Sequence, residues 1–338
     1  MKDTVKKTSY LFFAAAFFAV PWIWSPARDY APGLAVITGI VFSVAFGNPF
    51  KEYTSKITSN LLGASIVGMG FGMNLVKVLQ AGANGIVYTL IGICAGLGLG
   101  VLAGKWLKLN RDTMYLISVG TSICGGSAIA AAAPVLKAKS HDIAIASATV
   151  FTLNAVALLV FPAVGHALNF TETQFGYWAA LAIHDTSSVV GASFQYGPQA
   201  LEVGTTVKLA RALWIVPVTL FLSCFAASVP EGEKRAIKFK VPWFIPGFLV
   251  AAALVTWLPQ LIGTDRTASQ YVVKGGVFIK EISKFLMITT LFLIGSNLSR
   301  EKLKELGLRP VLHGVILWLI LSVAWCAAIA FGLVRCGA

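Results

Sequence analysis

The chain has 338 residues, of which 57% are hydrophobic and only 12% charged, and its mean hydropathy is +0.78. A soluble domain carries about a quarter charged residues, so this composition argues against a soluble enzyme and for helices that face lipid or one another. The net charge of +13 does not point to nucleic acid, because the basic residues cluster in short gaps between apolar runs, as the positive-inside rule expects.

A spanning helix needs ~20 apolar residues. Apolar runs lie at 9–25, 30–47, 57–76, 84–104, 113–136, 142–168, 175–195, 204–228, 241–262, 275–298 and 313–334, roughly eleven segments by that length. Of these, 113–136 and 175–195 are the least regular. The expected fold is an all-α polytopic membrane protein in which 1–338 form one transmembrane unit. The basic stretch before the first run looks like the start of a signal peptide. No small-x-small cleavage site follows before Pro21, Trp22 and Trp24, so 9–25 is read as an extra N-terminal helix with an aromatic belt.

With the N-terminus in the cytoplasm, 16 Lys and Arg fall in inner loops and 7 in outer ones, Lys137 and Lys139 among the latter. That surplus favours a cytoplasmic N-terminus and a periplasmic C-terminus. The third run ends Gly72-Met73-Asn74-Leu75 and the tenth Gly295-Ser296-Asn297-Leu298, on opposite faces in this orientation. Such an echo is what an inverted-topology repeat leaves behind, here 30–168 and 175–334. Ordinary glycine-rich packing is the other reading.

The first chemical signal is Ser118 to Ala130. Gly125 and Gly126 stand mid-span among Thr121, Ser122, Cys124 and Ser127, with Pro134 downstream. Each glycine costs a helix ~1 kcal/mol against alanine, and unwound backbone at membrane depth is tolerated where it is buried or lines a wet cavity. A helix broken here would offer N–H groups and a positive dipole end to an anion; close packing through small residues is the alternative.

The second signal is His184-Asp185-Thr186-Ser187-Ser188. Ionisable groups inside a span are expensive and face the bundle interior, which makes His184 and Asp185 candidates for proton or ion coupling. Alternatively, Asp185 is the N-cap of a helix that starts at Thr186. The third signal is Lys208 and Arg211, which share a helix face. They form an anion receptor, snorkel to the interface, or pair with Glu202 or Asp185.

Asn74 and Asn297 are further candidates to contact substrate or to bond across helices. Asn154 stands alone and reads as satisfied packing. Lys280, Glu281 and Lys284 pair along one helix, and His141, His166 and His313 read as interfacial. The five cysteines form no CxxC or CxxH pair. There is no P-loop, HExxH, GxSxG or dinucleotide fingerprint, so neither an enzyme nor a cofactor is expected and an ion gradient is the expected energy source.

Taken in order, "GMGFGMNL", "SICGGSAIAAAAPV", "AIHDTSSVVGASFQYG" and "VKLARALWIVPV" resemble the YeiH-type bacterial membrane proteins, a family labelled as sulfate exporters. The resemblance runs from about Pro32 to the C-terminus. The family is similar to the wider clan of bile-acid/sodium symporters and sodium/proton antiporters. That likeness implies inverted repeats, a panel and a core, and two discontinuous, crossing helices. Carried over by position, it implies substrate contacts at Ser122, Cys124, Gly125, Gly126, Ser127, His184, Thr186, Lys208 and Arg211, with Asp185 beside His184 in coupling. One departure is the pair Gly125-Gly126, where family members often carry a single glycine followed by alanine or serine.

The function expected is secondary active transport of a small oxyanion, sulfate or sulfite moving outward across the cell inner membrane. Expected partners are that anionic solute, a coupling proton or sodium ion, membrane lipid and a second copy in a homodimer, with no nucleic acid. Arg211→Ala is expected to abolish uptake without unfolding the protein. The rivals are a sodium- or proton-coupled carrier of another organic anion or a cation, and a membrane sensor or assembly subunit that transports nothing.

Overall fold

The computed structural model describes residues 2–23, 27–212, 214–215, 217–218, 221–222, 243–262, 266–297 and 307–334. Among these residues the regular structure is all α-helix. The helices are α1 (Lys2–Ile23), α2 (Ala27–Phe46), α3 (Lys51–Gly70), α4 (Leu75–Trp106), α5 (Arg111–Ser122), α6 (Gly126–Leu136) and α7 (Ser140–Ala167). They continue with α8 (Glu172–Ala182), α9 (Thr186–Tyr196), α10 (Pro198–Ala212), α11 (Phe244–Leu261), α12 (Arg266–Ser296) and α13 (Leu308–Ala330). Within the described residues the apolar runs fall on helices, except that 57–76 passes from α3 through a turn into the head of α4, and 113–136 and 175–195 each come as two half-helices. The run at 204–228 begins in α10 and continues largely outside the described residues.

Among the described residues four helices are long and apolar enough to cross a membrane: Val78–Trp106, Ser140–Ala167, Phe244–Leu261 and Leu308–Ala330. The chain divides into two compact units, one of Met1–Gln80 with Val241–Arg300 and one of Ala81–Lys240 with Glu301–Ala338. In the first unit α2 and α12 approach backbone to backbone. A Cβ on Gly39 would stand 2.9 Å from the Ser296 nitrogen, and one on Gly295 3.1 Å from the Ile40 nitrogen, the small-residue packing by which helices associate in lipid. On α12 the expected intrahelical pair is present, Lys284 Nζ to Glu281 Oε1 at 2.7 Å.

In the second unit α4 and α13 run antiparallel. Gly96 packs on Leu321 and Gly100 on Leu317. His313 bonds to the Gly100 carbonyl at 2.8 Å and is fully buried, so it belongs to the core and not to an interface. The half-helices α5, α6, α8 and α9 are organised along α7. At its start Asp142 Oδ1 accepts from Asn110 Nδ2 (2.9 Å) and Thr113 Oγ1 (2.7 Å), both at the head of α5. At its end His166 stacks on Tyr196, the last residue of α9, at 4.2 Å, and Tyr196 stacks on Phe175 near the head of α8 at 3.8 Å.

These contacts fix the path of both broken segments. The head of α5 lies beside the start of α7, a few residues after α6 ends, and Gly120 packs on Ile129. The head of α8 lies beside the tail of α9, with Tyr196 donating to the Phe170 carbonyl at 2.5 Å. Each segment therefore descends, turns over three residues and returns. The expectation of two crossing helices is corrected on this point: the helices are discontinuous as expected, but both fold back as hairpins. Their mouths sit at opposite ends of α7, ~36 Å apart at 1.5 Å per residue between Asp142 and His166.

Candidate functional site

Each hairpin arm is only 11 or 12 residues long, ~17 Å of helix, so both tips stop about midway along α7. There they meet. A Cβ on Gly125 would stand 3.4 Å from the Asp185 Cβ. Asn154, midway along α7, accepts at Oδ1 from the backbone N–H groups of His184 (3.1 Å) and Asp185 (3.2 Å). The first tip turns because Gly125 takes φ 66° and ψ −128°, a conformation a side chain disfavours. The second turns because Asp185 leaves the helical region at φ −93°, ψ 144° and caps α9.

Four helix ends converge at the tips, and each leaves backbone groups without intrahelical partners. The C-terminal ends of α5 and α8 expose carbonyls, and α10 brings two cations to them. Lys208 Nζ donates to the Ile123 carbonyl (3.2 Å) and the Ile183 carbonyl (2.6 Å), one from each tip. Arg211 donates from Nε and Nη2 to the Ser122 carbonyl (2.9 and 2.5 Å), and from Nη1 to those of Leu181 (2.6 Å) and Ala180 (3.2 Å). Both are wholly buried, at 0% and 1% exposure. Neither side chain snorkels to a surface or pairs with Glu202 or Asp185: both donate to backbone carbonyls and neutralise the negative ends of two half-helices.

The N-terminal ends differ. At α9 the Asp185 carboxylate accepts from the Ser187 N–H (3.0 Å), the Ser188 N–H (3.4 Å) and the Ser187 hydroxyl. At α6 the N-cap is Gly125, which has no side chain with which to cap the first turn. Gly126, Asp185 and Thr186 are half-buried and Ser127 is exposed. Around the tips several buried polar atoms lack a partner among the described residues: both ring nitrogens of His184, Asn154 Nδ2, Thr121 Oγ1 and Ser122 Oγ. His184 and Asn154 are 1% and 3% exposed. Cys124, in the turn of the first tip, is buried and forms no disulfide.

Residues 12–314 match the family model described as Conserved hypothetical protein 698. The UPF0324 membrane protein of Bdellovibrio bacteriovorus is 52% identical over 298 residues, 88% of this chain and 88% of that protein. The relative in Geobacter sulfurreducens is 45% identical over 91% of both chains. That in Bacteroides thetaiotaomicron is 43% identical over 90% of this chain and 91% of its own. The chain belongs to the UPF0324 family of membrane proteins. This agrees with the resemblance to YeiH-type proteins read from the motifs. No solved structure matches the chain.

In this UPF0324 protein the sequence candidates divide between the two units. Ser122, Cys124, Gly125, Gly126, Ser127, His184, Asp185, Thr186, Lys208 and Arg211 come together at the tips of the second. Asn74 and Asn297 lie in the first and hold different posts despite their matching motifs. Asn74 Oδ1 accepts from the Val76 N–H at 2.9 Å, at the head of α4. Asn297 accepts from Asn48 Nδ2 (3.2 Å) and Thr54 Oγ1 (2.8 Å) and donates to Thr58 Oγ1 (3.1 Å), in a cluster that also takes in Ser296 and Tyr10. The residue that the sequence reading underrated is Asn154, whose only signal was an amide alone in an apolar run. Among the described residues no group of three or more His, Cys, Asp or Glu could hold a metal ion.

Proposed function

We propose that this membrane protein is a secondary active transporter of a small oxyanion. The observation that supports it best is the unequal treatment of the four helix ends. Lys208 and Arg211 neutralise both negative ends, Asp185 closes one positive end, and the positive end at Gly125–Ser127 has a glycine, with no side chain to offer, as its N-cap. A helix N-terminus with open N–H groups suits an anion, and two buried cations beside one carboxylate leave the surroundings positive. The cations act through their field, with Gly125, Gly126 and Ser127 as the contacts and Ser122, Cys124, His184 and Thr186 around them. His184 and Asp185 couple the movement to a proton or sodium ion.

The hairpins also bear on topology. With the N-terminus in the cytoplasm, a first hairpin that enters from the cytoplasmic face and a second that enters from the periplasmic one move Lys137 and Lys139 inside. The division of Lys and Arg then becomes 18 inside against 5 outside, which strengthens the positive-inside bias, and the C-terminus stays periplasmic. Two hairpins that reach one midplane from opposite faces suit alternating access, carried by motion of the hairpin-bearing unit as core against the other as panel.

Counterflow in proteoliposomes tests the reading: vesicles preloaded with sulfate, sulfite or a small carboxylate should accumulate tracer of the same anion, and a sodium-for-potassium swap identifies the coupling ion. Gly126→Pro, which removes the first N–H at a position where proline suits a helix, should reduce the flux well below that of Gly126→Ala. Absence of counterflow with every oxyanion tried would overturn the proposal.

A further inference from the structure

The two tips follow one pattern in register. The first reads Ser122, Ile123, Cys124, Gly125, Gly126, Ser127; the second reads Ala182, Ile183, His184, Asp185, Thr186, Ser187. In each, the descending arm ends just before an isoleucine whose carbonyl accepts from Lys208. In each, the returning helix starts after three residues and carries serine at its second position. The patterns part where it matters, at the N-cap, which is Asp185 in one and Gly125 in the other.

What Asp185 does is therefore a template. One carboxylate oxygen receives the N–H and hydroxyl of Ser187 and the N–H of Ser188. The first tip carries the same donors, the N–H and hydroxyl of Ser127 and the N–H of Ala128, and no carboxylate to receive them. The Ala128 N–H lies toward the Cys124 sulfur, a weak acceptor. Gly125 lacks the side chain that would fill the place of the Asp185 head group, and Ser127 is exposed.

A second observation is independent of the helix end. Asn154 Nδ2 is buried and, among the described residues, without a partner, on the amide whose oxygen holds the second tip. One turn back on the same face of α7, the Phe151 ring lies 2.6 Å from where a Cβ on Gly126 would be. This places a further buried donor where the two tips meet.

We infer that the first tip binds a carboxylate or similar oxyanion in the place that the Asp185 carboxylate takes in the second. One oxygen is held by Ser127 and the first turn of α6, and Asn154 donates from behind. The inference rests on the anion-transport reading and adds to it the contacting atoms and the substrate class, a compact anion that presents an unhindered oxygen.

The test is thermal unfolding and calorimetric titration of the purified protein with formate, acetate, sulfite and sulfate, against sodium chloride at equal ionic strength. At least one oxyanion should raise the unfolding midpoint where chloride does not. Ser127→Ala should bind it about ten- to a hundredfold more weakly, the loss of one charge-assisted hydrogen bond. Asp185→Gly turns the second tip into a copy of the first: formate or acetate should restore its midpoint by more than it raises that of the native protein. Unaltered oxyanion affinity in Ser127→Ala, whose exposed side chain puts folding at little risk, overturns the assignment, and so does an Asp185→Gly protein that formate does not rescue. Counterflow that persists undiminished in Ser127→Ala would sink the tip assignment and leave transport standing; oxyanion binding with no counterflow would do the reverse.

Discussion

Arg211→Ala separates a structural cation from a ligand. The guanidinium makes four bonds of 2.5–3.2 Å to three carbonyls, those of Ser122, Leu181 and Ala180. Alanine would leave all three without a donor at a site only 1% exposed. A hydrogen bond to a charged group contributes about 1.5–3 kcal/mol in soluble proteins, whereas bonds between membrane helices average nearer ~0.6 kcal/mol. Three orphaned carbonyls, with Lys208 still bridging the tips, then cost about 2–4 kcal/mol in total. On the scaling for soluble domains of ~2–4 °C per kcal/mol, the midpoint in detergent should fall by roughly 5–15 °C. Size-exclusion survival after heating measures this, paired with anion titration below the lowered midpoint, where affinity should change only a few-fold through the lost field. Arg211→Lys should be intermediate, since a point charge lacks the fork that serves both half-helices. An unchanged midpoint with anion binding abolished would refute the reasoning and make Arg211 a ligand.

Asn154→Leu removes the acceptor for two buried N–H groups and should cost about 2–4 kcal/mol; denaturant or thermal unfolding equal to the native protein would dismiss its role at the junction. Gly125→Ala should cost about 1–3 kcal/mol because of its positive φ, while Gly126→Ala, which meets only the end of the Phe151 ring, should be milder; equal midpoints would speak against the strained turn. Tyr196→Ala breaks the stack with His166 and Phe175. Amide hydrogen exchange should then speed up over 172–196 and stay slow over 111–136, whereas uniform loosening would mean that the mouths are not separate clamps. A cysteine at Ser140, on a background without other reactive cysteines, should react with an impermeant maleimide only in inside-out vesicles; labelling in right-side-out vesicles would favour a continuous fifth span.

The breaks were legible because they offend the rule of an apolar span: paired glycines and hydroxyls at Gly125, an ionisable pair at His184. Their direction was not, because a 3.6-residue period reports helix and says nothing about whether a chain continues or returns. The mouth contacts that decide it, Asn110 and Thr113 with Asp142, join residues about thirty positions apart and look like ordinary loop polarity in sequence. Arm length was the available hint. Divided at its break, each run leaves halves of ~17 Å, little more than half of the ~30 Å hydrocarbon core.

The spacing of Lys208 and Arg211 gave their shared face correctly and could not give their partners, since backbone carbonyls carry no sequence signature. Asp185 is an N-cap, as the capping alternative has it, but of a half-helix whose start is deep in the unit. The matching Asn74 and Asn297 motifs show the limit of a four-residue echo, because one asparagine caps a helix and the other binds a side-chain cluster.

The contacts of α10 impose an order on biosynthesis. Both hairpins leave the ribosome before Lys208 and Arg211 do, so for a time the carbonyls at their tips have no cation to receive. Until then the half-helices are too short to anchor themselves and too polar at the tip to rest in lipid. A nascent chain arrested before Lys208 should leave 111–136 and 172–196 open to protease from the two sides of the membrane, and one arrested well beyond Arg211 should not. Folding of this protein would be completed backwards, with its two earlier hairpins secured by a helix that arrives after them.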